Sequence, residues 1–173
     1  ATDDAIYQGI RAHADVIVTA PCCHKQVRPQ LDDLVTHQSV LERSSAMLNY
    51  GIYRERISEI VTDTIRAKCL EERGYEVTVA EFVGGEHTAK NVLIAAVKRA
   101  KRSQSDVEKI DAREDIKEIA MIHQIHSHKL VSLLGMQDLL VTPTARDRRV
   151  RHGKLLPRAC LLYTSPSPRD DEL

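Results

Sequence analysis

The sequence predicts an α/β fold: a sheet of parallel strands with one antiparallel hairpin strand, followed by a C-terminal helix. Residues 15–20 form a short apolar, β-branched run without polar alternation, which is typical of a strand buried on both faces of a parallel sheet. Residues 51–73 carry apolar side chains at helical spacing, and an alternating strand pattern follows at once. Gly84 and Gly85 then precede residues 91–98, as the turn of a β-hairpin would.

The first predicted element is a helix over about residues 4–13, which Thr2 or Asp3 would cap. It leads into the strand at 15–20, which Pro21 ends because proline cannot donate to a ladder. Residues 27–43 give little periodic signal and are interpreted as an irregular cover.

In the long helix 51–73, the apolar residues share one face, and charged residues that include Asp63 and Arg66 point elsewhere. Gly74 ends this helix, and a strand is expected at 75–82. The alanines of residues 91–98 favour a helix, but the segment is short and apolar on both faces, so we expect a strand there. Right-handed crossover would make the first two strands parallel, with the hairpin strand antiparallel beside them. One further helix is expected over 107–134, ended by Gly135.

Composition excludes some classes of protein. Lys plus Arg and Asp plus Glu both number 25, so the net charge of zero gives no general reason to expect a polyanionic partner. Residues 98–102 form a modest basic patch, for which solvation is the default and contact with an RNA backbone the alternative. Four irregularly spaced cysteines favour a reducing, cytoplasmic setting. Neither a membrane span nor a signal peptide is indicated.

The candidate site follows the strand at 15–20. Pro21 releases Cys22, Cys23, His24 and Lys25 beyond the carboxyl end of that strand, where open α/β sheets bind ligands. We expect His24 to act as a base or orienter for a nucleophilic substrate atom, and Lys25 to contact an anionic group such as phosphate. The alternative is a buried thiol pair that packs as small hydrophobic groups. A zinc site fits the adjacent cysteines poorly, and a thiol redox site would need a Cys-x-x-Cys spacing or a resolving partner.

Two further groups of residues are candidates. The first group lies in the predicted hairpin turn. Because this turn follows a strand parallel to 15–20, it should lie at the same edge of the sheet as the loop after Pro21, although polar residues are also common in ordinary turns. Its candidate side chains are Glu86, His87, Thr88, Lys90 and Asn91. His123, His126 and His128 resemble a helical metal site in spacing, but they are interpreted as solvated surface histidines because no carboxylate partner is in register.

Three motifs together resemble one branch of the class I S-adenosylmethionine-dependent methyltransferases. They are Ala1-Thr2-Asp3 before a helix, a strand that ends in Cys22-Cys23-His24, and Glu86-His87-Thr88-Ala89-Lys90-Asn91. The branch includes eukaryotic tRNA 2′-O-methyltransferases and bacterial proteins of unassigned substrate. The resemblance covers roughly residues 1–140 and implies the C-terminal half of a Rossmann-like class I methyltransferase sheet.

The resemblance also implies roles for individual residues. Thr2, Asp3, Pro21 and Cys22 would bind S-adenosylmethionine, His24, Cys23 and Lys25 would form the catalytic set, and Glu86, His87, Thr88, Lys90 and Asn91 would bind the substrate. The methyl acceptor would be tRNA or another RNA. The chain differs from the pattern of this branch in two ways. The Gly-rich first strand is missing, and Lys25 stands where the tRNA enzymes have a second histidine.

The predicted organisation is the C-terminal half of a methyltransferase domain at 1–100, a linker and C-terminal helix at 101–140, and a disordered or artefactual tail at 141–173. Within that tail, residues 160–170 look like a translated sequencing adapter. The chain opens without the units that a parallel sheet needs before residue 14, so we expect a fragment that is inactive alone and either unstable or self-associating. The alternative function is a non-catalytic RNA-binding module that uses the sheet edge and the basic linker.

Overall fold

The computed structural model combines helices with short strands, which confirms the mixed α/β class. It describes residues 1–36, 45–81, 91–99 and 106–142, all within one unit, Ala1–Thr142. The helices are α1 (Thr2–Arg11), α2 (Arg28–Thr36), α3 (Ser45–Leu48), α4 (Gly51–Glu72), α5 (Asp106–Ile122) and α6 (Lys129–Leu133), and a 3-10 turn spans Gln137–Leu139. The strands are β1 (Val16–Thr19), β2 (Tyr75–Glu81) and β3 (Val92–Lys98). None of the helices in these ranges is both long and apolar enough to cross a membrane.

The three strands form one sheet in the order β1-β3-β2. β3 is antiparallel to both neighbours, with Val16 opposite Val97 at one edge and Tyr75 opposite Lys98 at the other. β1 and β2 therefore run in the same direction but do not pair. The expected parallel pairing is absent from the described residues because β3 occupies the hydrogen-bonding edges that face between them. The predicted hairpin strand at 91–98 is confirmed.

Only one face of this sheet is buried. Ile17, Ile94 and Ala96 point into the core, whereas Val16 and Val18 on the other face are 56% and 59% exposed. The prediction that residues 15–20 are buried on both faces is therefore wrong. The reason is that the buried side chains of all three strands lie on the same side, and no described element covers the opposite one.

Two elements differ from the sequence-based expectation. Residues 28–36 form helix α2, where an irregular cover was expected, because Pro29 lies in the first turn and needs no hydrogen-bond donor there. The predicted single helix 107–134 is broken between α5 and α6. Gln124 takes a left-handed conformation (φ 52°), and the Ile125 amide donates back to the Ala120 carbonyl, which ends α5.

Helix α4 is the central support of the fold. It matches the predicted helix closely, and Gly74 follows it with φ 92°, as a C-terminal glycine should. The core gathers apolar side chains from α1, all three strands, α4, α5 and α6: Ile6, Ile17, Val61, Ile65, Leu70, Tyr75, Ile94, Ala96, Ile116, Ala120, Leu130 and Val131. Ile60 of α4 is 65% exposed, so the buried face of this helix differs from the predicted apolar stripe.

Candidate functional site

The loop after β1 alternates between buried and exposed residues. Pro21 and His24 are buried, whereas Cys22, Cys23 and Lys25 are exposed. The two buried residues hold the loop against the protein. The sequence predicted that a thiol pair, an imidazole and an amine are presented beyond the carboxyl end of this strand. The thiols and the amine are exposed there, but the prediction is wrong for the imidazole of His24, which is buried.

The first turn of α1 meets this loop. The Cys22 amide donates to Thr2 Oγ1 at 3.4 Å, and the same hydroxyl lies 3.7 Å from Cys22 Sγ. Helix α1 begins at Thr2, and its N-cap is Ala1 without a side-chain hydrogen bond. The expectation that Thr2 or Asp3 caps the helix is therefore wrong, because both side chains are turned towards neighbouring elements.

Arg66 of α4 connects the first turn of α1 to the loop after β1 on the buried side of that loop. It is fully buried, and its guanidinium donates to both carboxylate oxygens of Asp3, at 2.8 and 3.1 Å. It also donates to Asp63 Oδ1 at 2.9 Å and to the Cys23 carbonyl oxygen at 2.8 Å. Asp63 and Arg66 share a helix face because they are three residues apart. One side chain thus fixes the positions of both motif segments.

His24 is held by the same network. Its Nε2 lies 3.0 Å from Asp63 Oδ2 and 3.1 Å from Oδ1, and its side chain is 4% exposed. Its Nδ1 is buried and has no hydrogen-bond partner in the described part of the chain. The imidazole therefore lies beneath the loop, with the solvent-facing positions taken by Cys22, Cys23 and Lys25.

The electrostatics of the site follow from these contacts. Burial by itself raises the pKa of Asp3, but the hydrogen bonds and positive charge of Arg66 outweigh it and hold that pKa below its usual range. Burial likewise works against the charge of Arg66, and Asp3 and Asp63 together hold its pKa above the usual range. Hydrogen bonds from Thr2 and then Cys23 lower the pKa of Cys22. A charged buried layer therefore supports an exposed thiol pair.

His128 is a second buried histidine near this layer. It is 1% exposed and precedes α6, and burial lowers its pKa to about 4 despite the nearby carboxylate of Asp3. The interpretation of His128 as a solvated surface residue is wrong, because the break after α5 turns it inward. Gln30 fixes that break: its side chain donates to the Ser127 carbonyl and accepts from the His126 and Ser127 amides.

The predicted hairpin residues are mostly outside the described ranges. Glu86, His87, Thr88 and Lys90 fall there, so their expected position over the crevice stays a prediction. Asn91 directly precedes β3 and is half-buried. Because Ile94 of β3 pairs with Thr19, the start of β3 lies at the carboxyl end of β1, the edge from which the Cys22–Lys25 loop departs.

Sequence reasoning missed Asp63, Arg66 and His128. A signal for Arg66 was available, because Ser58 and Thr62 precede it at four-residue spacing beside the apolar stripe of α4. Small polar residues in such a row indicate close packing of a second helix face. His128 carried no comparable signal, since its burial depends on the break at Gln124.

A separate cleft is lined by other residues. A depression of about 220 Å³ is lined by Lys68, Glu71, Arg99, Asp111 and Asp115. Lys68 bridges Glu71 at 2.8 Å and Asp115 at 2.9 Å, so these charges neutralise one another across the cleft. We favour the Cys22–Lys25 loop as the site because its polar groups converge. Within the described ranges, no three His, Cys, Asp or Glu side chains are placed to hold a metal ion.

Comparison with known proteins identifies no relative. No protein-family model, curated protein or solved structure matches the chain. The fold and the site therefore define a mixed α/β protein whose function must be argued from its own residues.

Proposed function

We propose that this chain is the C-terminal part of a class I S-adenosylmethionine-dependent methyltransferase. The observation that carries the proposal is the meeting of the two resembling segments at the end of β1. Thr2 contacts Cys22 directly, and Arg66 connects Asp3 to the Cys23 carbonyl. Thr2 and Cys22 are twenty positions apart, and a chance occurrence of the Ala1–Asp3 and Cys22–His24 motifs would give no reason for them to be in contact.

The order of the strands supports the same proposal. The resemblance implies a hairpin that inserts an antiparallel strand, and β3 is antiparallel to β1 and β2, which run in one direction. Both features locate the candidate site at the carboxyl end of β1, where ligands of α/β sheets bind.

The residues at this edge fit the cofactor unequally. Thr2, Pro21 and Cys22 lie together and would line it, with the Cys22 thiol exposed and the Thr2 hydroxyl buried behind it. Asp3 fits poorly as a direct ligand, because both of its carboxylate oxygens already bond Arg66. When bound, S-adenosylmethionine supplies the electrophilic methyl group. Asp3 would act by fixing the first turn of α1 beside the loop.

The geometry favours the orienting role for His24 over that of a base. Its Nε2 is engaged by Asp63 and its ring is buried, so it has no open path to an acceptor proton. It would hold Cys23 and Lys25 in place, and Lys25, which is exposed, would contact the anionic group of the acceptor. A 2′-hydroxyl of RNA is the acceptor that we propose, because phosphates flank it and methyl transfer depends chiefly on positioning.

Cofactor binding can be tested on the chain itself. We expect millimolar S-adenosylmethionine to shift the amide NMR signals of Thr2, Asp3 and residues 22–25, and S-adenosylhomocysteine to compete. Thr2→Val should weaken this binding several-fold. Thr64→Val is the matched control, since its hydroxyl bonds only its own helix at the Ile60 carbonyl. The absence of shifts, or shifts confined to other residues, would overturn the proposal.

Methyl transfer is tested with the gene product that carries this chain. Transfer of tritiated methyl groups to RNA should fall when Lys25→Ala is introduced, mainly through a raised KM. His24→Asn should lower activity and destabilise the loop together, as expected of an orienting residue. RNA binding that is independent of S-adenosylmethionine, without any transfer, would replace this proposal by the binding module.

A further inference from the structure

The exposed tip of the loop is a pair of thiols in contact. The sulfur atoms of Cys22 and Cys23 lie 3.4 Å apart, and both residues are exposed. We propose that this pair is a chelating site for a soft, thiophilic centre with two open coordination positions, of which a trivalent organoarsenical is the representative ligand. The site shares Cys22 with the proposed cofactor site, but its binding chemistry and its test do not depend on methyl transfer.

The spacing suits a bridging atom better than a direct disulfide. The Cys22–Cys23 peptide bond is trans, so the Cα atoms are about 3.8 Å apart, whereas disulfides usually need 4.4 Å or more. A direct S–S bond would therefore be strained and easily reduced. Two metal–sulfur bonds of about 2.3 Å span 3.4 Å at an angle of about 95°. That angle is tight for a tetrahedral ion and suits the pyramidal geometry of trivalent arsenic.

The pair is also held in place before a ligand arrives. Arg66, which is fully buried, binds the Cys23 carbonyl at 2.8 Å, and the Cys22 amide bonds Thr2. Pro21 and His24, on either side, are buried. Binding therefore costs little conformational entropy, as a preorganised site requires. The Thr2 hydroxyl, which lowers the pKa of Cys22, favours the thiolate that attacks a soft centre.

The chemistry requires no oxidant. With phenylarsine oxide, two S–H bonds and the arsenic–oxygen bond break, two arsenic–sulfur bonds form, and one water molecule leaves. The arsenic stays trivalent. Of the other two cysteines in the sequence, Cys69 is buried, with its pKa raised by burial to about 12, and so is a poor competitor.

The test is intact-mass measurement of the folded chain with phenylarsine oxide under reducing conditions, in a Cys160→Ser background. We expect one adduct per chain that survives excess monothiol and is released by a dithiol. Cys22→Ser and Cys23→Ser should each abolish this resistance to monothiol, and Cys69→Ala should leave it unchanged.

Three results with phenylarsine oxide would overturn the proposal. They are an adduct that monothiol removes from the unsubstituted pair, an equally resistant adduct in either serine variant, and an adduct that forms only in denaturant. Rapid loss of two hydrogen atoms with glutathione disulfide, without a retained glutathione adduct, would also contradict it, because the pair would then close to a disulfide without strain.

Discussion

The buried ion network predicts that Arg66→Met will destabilise the protein strongly. Arg66 donates two hydrogen bonds to Asp3, one to Asp63 and one to the Cys23 carbonyl. Methionine keeps much of the apolar stem but leaves two carboxylates, each 7% exposed, without their countercharge. Removing one partner of a buried pair costs about 3–5 kcal/mol of unfolding free energy. For a chain of this size the melting temperature should fall by about 6–20 °C.

The dependence on pH identifies the cause. In the unsubstituted protein the pKa of Asp3 is lowered, so this carboxylate contributes stability that is present above its unfolded pKa and lost as the pH falls through its folded pKa. Without Arg66, burial would raise that pKa instead, and Asp3 would take up a proton as the pH falls. The deficit of Arg66→Met should therefore be largest at pH 7 and shrink towards pH 4.

The assay is urea denaturation followed by circular dichroism between pH 4 and 7. Arg56→Met on the same helix is the control, because the Arg56 side chain is 51% exposed and solvent screens its pair with Glu59 at 3.2 Å to less than about 1 kcal/mol. Asp3→Asn is a milder companion that keeps the shape and removes one charge. The reasoning is refuted if Arg66→Met costs no more than the control, or if its deficit is the same at both ends of the pH range.

Three further predictions concern other buried positions. The pKa of His128 is lowered to about 4, so it is neutral when folded; stability should fall by up to about 3 kcal/mol from pH 6.5 to 4, and His128→Gln should flatten this part of the urea-denaturation profile. Gln30→Ala should cost about 2–4 kcal/mol in the same assay, since two backbone amides and two carbonyls lose their partner. A side chain at Gly9 would meet Ile17 at 3.0 Å, so Gly9→Val should lower the melting temperature, whereas Gly51→Ala, which meets only Arg28 at 3.9 Å, should raise it slightly. Equal shifts in the two glycine variants would contradict the packing assigned to α1.

The elements that the sequence predicted well are those with local signals. Helix α4 has both an apolar period and a terminal glycine, and β2 has a β-rich run bounded by turns. For β3, the short apolar run after Gly84 and Gly85 outweighed the helix preference of its alanines. The position of the Cys22–Lys25 loop followed from Pro21 alone. Such features depend on a few neighbouring residues, so one sequence is enough to locate them.

The parts that failed depend on tertiary contacts. Val16 and Val18 were predicted to be buried because the strand was expected to be covered on both faces. An apolar run carries no information about which face another element covers. Asp63 and Arg66 were expected to face solvent because charged helix residues usually do. Their burial is stabilised by their partners His24 and Asp3, which pair with these charges. Those partners are about 40 to 60 positions away along the chain, a distance over which residue patterns give no contact information.

The site consists of two layers that mutations should separate. Asp3, His24, Asp63 and Arg66 form the buried layer. Cys22, Cys23 and Lys25 form the outer surface of the loop, where a ligand can reach thiols or an amine. A substitution in the buried layer should change stability and ligand binding together, because the loop loses its support. A substitution of Cys23 or Lys25 should change ligand binding while the free energy of unfolding stays nearly constant. Loss of function in a His24 variant is therefore evidence for a chemical role only if that variant unfolds at the same urea concentration as the unsubstituted protein.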